Sequence, residues 1–177
     1  MATEAPLDSS DPGASKALKA KVRDRLKDTA RHVDALNAAM AEFGDEFDPA
    51  VFRRAFESSD PRLLNKVKAV ERGSEQLYSY IAELARFGLE LSTVIDQSAE
   101  PNARRDFRKL HEIGVISGGQ EGRLQTLREL RRNLVHEYPG VIAGDVREAA
   151  ILVSQEFRPF VDRYTDWIRA DFSPGPG

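Results

Sequence analysis

The sequence predicts an all-α fold, an antiparallel helical bundle, and three observations carry that expectation. Apolar residues recur at spacings of three, four and seven along most of the chain. No segment alternates apolar and polar residues over the length of a strand. Helix-start signals, such as Asp60 ahead of Pro61, stand at the breaks between periodic segments.

Taken in order, MATEAPLDSSDPG is polar and reads as a tail over residues 1–13. A first helix is expected from about Ala14 to Phe43, with Leu18, Val22, Leu26, Val33, Leu36 and Met40 on one stripe. GDEFDP interrupts it. Val51 to Phe56 then forms a short helix with Val51, Phe52 and Phe56 turned inward. Asp60 caps a long helix that has Pro61 in its first position and Leu63, Leu64, Val67, Val70, Leu77, Tyr80, Ile81, Leu84 and Phe87 along it. Gly73 and Gly88 are its weak points, and Gly88 is expected to mark a bend before LELSTVI. A shorter helix around Ala103 to Ile113 leads into a turn at ISGGQ. Glu121 to about Glu137 follows, with Leu124, Leu127, Leu130 and Leu134 on one side. After YPGVIAGD, Asp145 is the expected cap of a last helix running to about Ala170. Pro159 should kink that helix or end a segment of it. The chain thus divides into one helical domain over 14–171 between tails at 1–13 and 172–177.

Phe87, Leu89, Leu91, Val94 and Ile95 make one stretch apolar on more than a single stripe. Such density fits a dimer face, and it fits a central helix wrapped by its neighbours.

The bulk numbers limit the function. A chain that is 41% apolar and 31% charged has the composition of a soluble globular protein. No apolar run reaches the length of a membrane span, and no basic start precedes an apolar stretch at the N-terminus. The expectation is therefore a cytoplasmic protein. With no cysteine there is neither a disulfide framework nor thiolate chemistry. The net charge of −3 argues against a duplex held through many phosphate contacts, so any RNA contact should be local and short. The segment 121–136 departs from that average, with Arg123, Arg128, Arg131 and Arg132 against Glu121 and Glu129.

That segment leads into RRNLVHEYP, Arg131 to Pro139, which concentrates two arginines, an asparagine, a histidine and a tyrosine. Arg132 and His136 are four apart and share a helical face, with Arg128 one turn earlier. Asn133 lies three residues before His136. Arg131 lies five before it, so those two converge only where the helix loosens or another helix or subunit completes the site. A helix end favours cations, which raises the proton affinity of His136. An imidazole near neutral pKa can take a proton from a ribose 2′-hydroxyl or give one to a leaving 5′-oxygen. A guanidinium can hold the nonbridging oxygens and stabilise the charge of the pentacoordinate transition state. RNA brings its own nucleophile, so this chemistry requires neither metal nor cofactor, and DNA would resist it. The plainer interpretation is a polar helix ending whose basic side chains pair with Glu129 or Glu137.

The segment resembles the Arg-x4-His motif of the HEPN superfamily, and more narrowly the Arg-x4-His-x-Tyr motif of HepT-like ribonuclease toxins. Here it runs Arg131, RNLV, His136, Glu137, Tyr138. The preceding FRKLHEIGVISGGQEGRLQTLRELRRNLVHEYP and the closing VREAAILVSQEFRPFVDRYTDWI are also similar to that family, so the resemblance spans about Asn102 to Phe172. It implies a HEPN-like bundle that dimerises, with the two motifs facing each other in a metal-independent endoribonuclease site at the subunit interface. It also implies a toxin-antitoxin pair, in which an MNT-type nucleotidyltransferase antitoxin is the partner and RNA the substrate. On that resemblance Arg131 would hold the scissile phosphate and His136 would serve as acid and base. Tyr138 would position RNA and be the residue open to AMPylation. AMP there would block and repel an RNA backbone. One departure stands out: relatives commonly carry asparagine directly after the motif arginine, whereas this chain has Arg132 there and Asn133 one place later. Arg131 keeps the family spacing, and Arg132 keeps the adjacent asparagine. The alternative function is a non-catalytic HEPN-like binding or partner-docking module.

Other polar features are weaker. His111-Glu112 lacks further ligands for a metal, and His32 stands alone in a charged helix. ISGGQEG lacks the Lys-Ser/Thr and the preceding strand of a phosphate-cradling loop. Glu75, Glu83 and Glu90 can ladder along a helix without forming a catalytic acid pair. Tyr78, Tyr80, Phe107 and Trp167 are expected to pack rather than stack on bases.

Overall fold

A computed structural model describes residues 12–96, 99–135 and 142–172, with side chains described except at 12–14, 28, 133–135 and 172. These residues form six helices and no strand: α1 (Pro12–Ala41), α2 (Pro49–Phe56), α3 (Pro61–Leu91), α4 (Ala103–Glu112), α5 (Gly118–Val135) and α6 (Ala143–Phe172). None of them is long and apolar enough to cross a membrane.

Helix α3 is the axis of the fold, since it packs against each of the other five. Its pairing with α1 is antiparallel: Lys21 lies over the Phe87 ring, Arg25 pairs with Glu83, His32 meets Tyr80, and Glu42 pairs with Lys66. Helix α6 runs antiparallel to α1 as well, joined through Asp34 with Arg158 and Asn37 with Ser154. Helices α4 and α5 form an antiparallel hairpin in which the Gln125 amide donates to the Arg104 carbonyl at 3.0 Å. One hydrophobic cluster draws on all six helices, including Leu36, Phe52, Leu77, Phe107, Leu124 and Phe157. Burying each large apolar side chain contributes about 1.5–3 kcal/mol before conformational entropy is charged against it.

The dense apolar stretch at the end of α3 lies largely inside the chain. Leu89 is fully buried, Leu91 nearly so, and the Phe87 ring lies under the Lys21 ammonium. Wrapping of a central helix therefore accounts for that density, and it does not itself point to a dimer face.

Several boundaries differ from the sequence expectations, each for a local reason. The turn after α4 comes earlier than ISGGQ. Gly114 takes φ +80°, and Val115 donates to the Leu110 carbonyl at 2.9 Å, closing a glycine-ended helix terminus. Ser117 then accepts from the Gln120 N–H at 3.2 Å, so Gly118, Gly119 and Gln120 are the first turn of α5. Asp145 lies inside the first turn of α6 rather than capping it, its N–H bonded to the Ile142 carbonyl at 3.0 Å. Its carboxylate still faces the favourable positive end of the helix. Helix α3 continues past Gly88 to Leu91, and the glycine lets α6 approach. Of the two outcomes expected at Pro159, the break does not occur: α6 continues across it while Phe157 and Phe160 anchor both sides in the core. Helix α1 starts at Pro12, slightly before the expected boundary.

Two arginines fasten loops to this frame. Arg147 of α6 donates to the carbonyls of Phe47 at 2.7 Å and Glu46 at 3.2 Å. Both acceptors belong to residues with positive φ (54° and 56°), a strained turn held by those bonds and by Phe47 packing on Phe43 and Phe52. Arg86, buried in α3, donates to the carbonyls of Asp96 at 3.2 Å and Ala99 at 2.6 Å. These bonds draw the segment that leads to α4 back onto the bundle.

Candidate functional site

The leucines of α5 fix which way its arginines turn. Leu124 and Leu127 are buried in the core, so Arg131, four residues past Leu127, emerges beside that face and against α3. Its guanidinium carbon lies 5.1 Å from the centroid of the Tyr78 ring. Tyr78 is itself buried, and Phe107 of α4 meets it edge to face at 6.3 Å between ring centroids. Arg131 therefore rests on an aromatic platform built where α3, α4 and α5 meet. A cation over such a face gains about 0.5–2 kcal/mol, more the further it is withdrawn from water.

The polar side of that residue is less conventional. Arg131 Nε is buried with no hydrogen-bond acceptor among the described residues, whereas its terminal nitrogens are not closed off in that way. No carboxylate among the described residues lies within ion-pair distance of it. Burial raises the pKa of the Tyr78 phenol, and the Arg131 and Arg128 charges partly oppose that shift.

Arg132 occupies a different environment. It is exposed, and its Nη2 lies 3.2 Å from Glu129 Oε2. Glu129 also pairs with Arg128, whose Nε is 3.4 Å from Gln125 Oε1. The two candidate motif arginines are thus distinguished: Arg131 is seated on Tyr78 with no ion pair among the described residues, and Arg132 is a solvent-side partner of Glu129. Asn133 lies in α5, but its side chain falls outside the described residues, as do His136 and Tyr138 entirely. Among the described residues the structure brings Arg131 together with Tyr78.

Charge is segregated around this corner. Residues 103–132 hold eight Lys and Arg against four Asp and Glu, so they are positive within a chain of net charge −3. Arg105, Lys109, Arg123 and Arg128 are paired with Asp106, Glu112, Glu156 and Glu129. Arg104 and Arg108, one helical turn apart and both exposed, have no carboxylate within 4 Å among the described residues.

The remaining polar candidates have structural roles. His111 Nδ1 lies 3.3 Å from the Ile116 carbonyl, bracing the α4–α5 turn, and Glu112 pairs with Lys109. His32 Nε2 is 3.1 Å from the Tyr80 hydroxyl, which also accepts from Gln76 at 2.8 Å. Glu83 and Glu90 pair with Arg25 and Arg86, so neither is an uncompensated acid. Among the described residues no three His, Asp or Glu side chains converge as metal ligands. Tyr80, Phe107 and Trp167 pack as expected, and Tyr78 packs while also carrying Arg131. Sequence reasoning missed that second role, because no spacing rule links a tyrosine on α3 to an arginine on α5.

No protein-family model, curated protein or solved structure matches the chain.

Proposed function

We propose that the chain is a metal-independent endoribonuclease of the HepT-like HEPN type, acting as the toxin of a pair whose antitoxin is an MNT-type nucleotidyltransferase. The observation that carries this reading is the seating of Arg131. It is a guanidinium fixed on an aromatic face, unpaired by any described carboxylate, five residues before the histidine that the motif requires. A cation so placed suits a phosphodiester, and the unpaired Arg104 and Arg108 on the neighbouring helix suit a short length of backbone.

In this reading His136 removes the proton from a ribose 2′-hydroxyl and the 2′-oxygen attacks the adjacent phosphorus. Arg131 holds the nonbridging oxygens as negative charge builds. The bond to the 5′-oxygen breaks, and the protonated His136 of a second copy facing the first supplies the proton to that oxygen. The products are a 2′,3′-cyclic phosphate and a 5′-hydroxyl. The homodimer belongs to this proposal, as does Tyr138 as the residue that positions RNA and accepts AMP from the antitoxin.

Purified protein is expected to cut RNA in the presence of a chelator, and His136→Ala to abolish cutting without changing the helical circular-dichroism spectrum. Unchanged activity in that variant would remove His136 from the reaction. Arg132, in the place where relatives carry asparagine, favours a second reading: a non-catalytic HEPN-like module that docks a partner. That module would bind the nucleotidyltransferase yet leave RNA intact and cause no growth arrest on expression.

A further inference from the structure

We infer that Tyr78 is the positioning residue of the site: the face of its ring, rather than its hydroxyl, holds the Arg131 guanidinium in the orientation that receives an oxyanion. The inference rests on the nuclease reading for its biological meaning, but the seat itself is a physical arrangement that can be tested alone.

The geometry supports a face contact. Arg131 Cζ stands 5.1 Å from the Tyr78 centroid, and Arg131 forms no hydrogen bond to the phenol. Tyr78 cannot easily swing away, because its ring is buried and Phe107 abuts it edge-on. Phe107 is in turn fully buried on α4, so the platform is anchored from two helices while the arginine arrives from a third. Among the described residues no carboxylate pairs with Arg131, and Glu129, two residues before it, is engaged by Arg128 and Arg132.

The guanidinium's donor pattern gives the ligand class. With Nε enclosed and the terminal nitrogens the ones left open, the guanidinium presents its outer edge as a two-donor fork. A planar fork of that kind matches two oxygens of one tetrahedral phosphate, as a lysine ammonium would not. A ring packed beneath the guanidinium restricts the rotational freedom that an exposed arginine would have to lose on binding. Tyr78 therefore acts through Arg131, preorganising it, and touches no reacting atom.

The test uses the full chain with Tyr78→Phe, Tyr78→Leu and pentafluorophenylalanine at position 78. The last keeps the ring's shape but reverses the charge of its face, so it remains informative if Tyr78→Leu fails to fold. Arg131 side-chain NMR resonances report the seat without any activity, through the ring-current shift of the Nε–H. Titration with a non-cleavable 2′-O-methyl dinucleotide, and with inorganic phosphate, reports the ligand. Tyr78→Phe should keep the shift and bind within about threefold of the wild type. The fluorinated and Leu forms should bind at least about tenfold more weakly, and their cleavage rates should fall below that of the wild type in step with the binding. Equal binding by all four proteins would overturn the inference, as would a loss in Tyr78→Phe matching that in Tyr78→Leu. If the wild type cuts no RNA, the nuclease reading falls, while the resonance and the dinucleotide titration still judge the seat.

Discussion

Gly88 of α3 faces Trp167 of α6 so closely that an added methyl group would stand 2.5 Å from Trp167 Cζ3, with Tyr164 Cε2 at 2.8 Å. The contact lies between two long helices that run side by side, and both aromatic rings are held in place by the core. Gly88→Ala should therefore cost about 1–3 kcal/mol of stability by overpacking. It should do so although alanine is the better helix former by about 1 kcal/mol. Gly122→Ala is the control: nothing lies within 4 Å of its added methyl, so the propensity gain should appear undiminished. Urea denaturation of the two variants should move the midpoint in opposite directions, and a stabilised Gly88→Ala would show that α3 and α6 can part.

Alkaline pH should act through two tyrosines. Burial raises the pKa of Tyr164, and raises that of Tyr78 against the pull of nearby arginines. The unfolded chain then loses these protons first, near the ordinary tyrosine value of about 10. Their contribution to stability is complete below that pH and is lost as pH rises through the folded values. Tyr164→Phe should reduce the loss of stability between pH 9.5 and 11.5 (roughly the tyrosine titration range) relative to the wild type. Parallel stability curves for the two proteins would contradict the assignment. Absorbance titration at alkaline pH should also show the Tyr78 and Tyr164 phenols ionising after those of freely exposed tyrosine.

Arg104 and Arg108 are expected to track a nucleic-acid backbone rather than to specify a base. Neither has a described carboxylate within 4 Å, and both lie on the helix tied to α5 through Gln125. Removing one phosphate contact lowers the slope of log affinity against log salt by about 0.7 for a single strand. Arg104→Ala and Arg108→Ala should each weaken RNA binding by a similar factor for all sequences and flatten that slope. Arg105→Ala, whose charge is already matched by Asp106 at 2.9 Å, should leave the slope nearly unchanged. An effect on one RNA sequence only would point instead to base reading.

The fold was legible in the sequence where periodicity and local chemistry agree. Most of the leucine and valine stripes of α1 and α3 appear as buried residues, with Leu63 at the start of α3 exposed instead, and Asp60 with Pro61 opens α3 as expected. Local signals left the outcome open where packing decides. Pro159 allows a kink or a break, and the flanking buried phenylalanines hold α6 unbroken across it, while the role of Gly88 depends on a tryptophan far along the chain. The candidate site divides in the same way. The motif chemistry of Arg131, Arg132 and His136 can be read from residue types, but which arginine is seated and which is solvent-paired is a tertiary fact. The platform beneath Arg131 could not have been found by spacing, because Tyr78, Phe107 and Arg131 come from three helices.

The most direct test of the central claim is cleavage of one RNA and its 2′-deoxy counterpart in the presence of chelator, with the product ends mapped. The wild type should cut only the strand bearing 2′-hydroxyls and leave 2′,3′-cyclic phosphate with 5′-hydroxyl ends. Arg131→Ala should lose at least about a hundredfold in rate, as removal of a donor to transition-state charge does, while Arg132→Ala should lose far less. Cutting of the deoxy strand, a requirement for added metal, an Arg132→Ala loss exceeding that of Arg131→Ala, or an inert wild type would contradict the account.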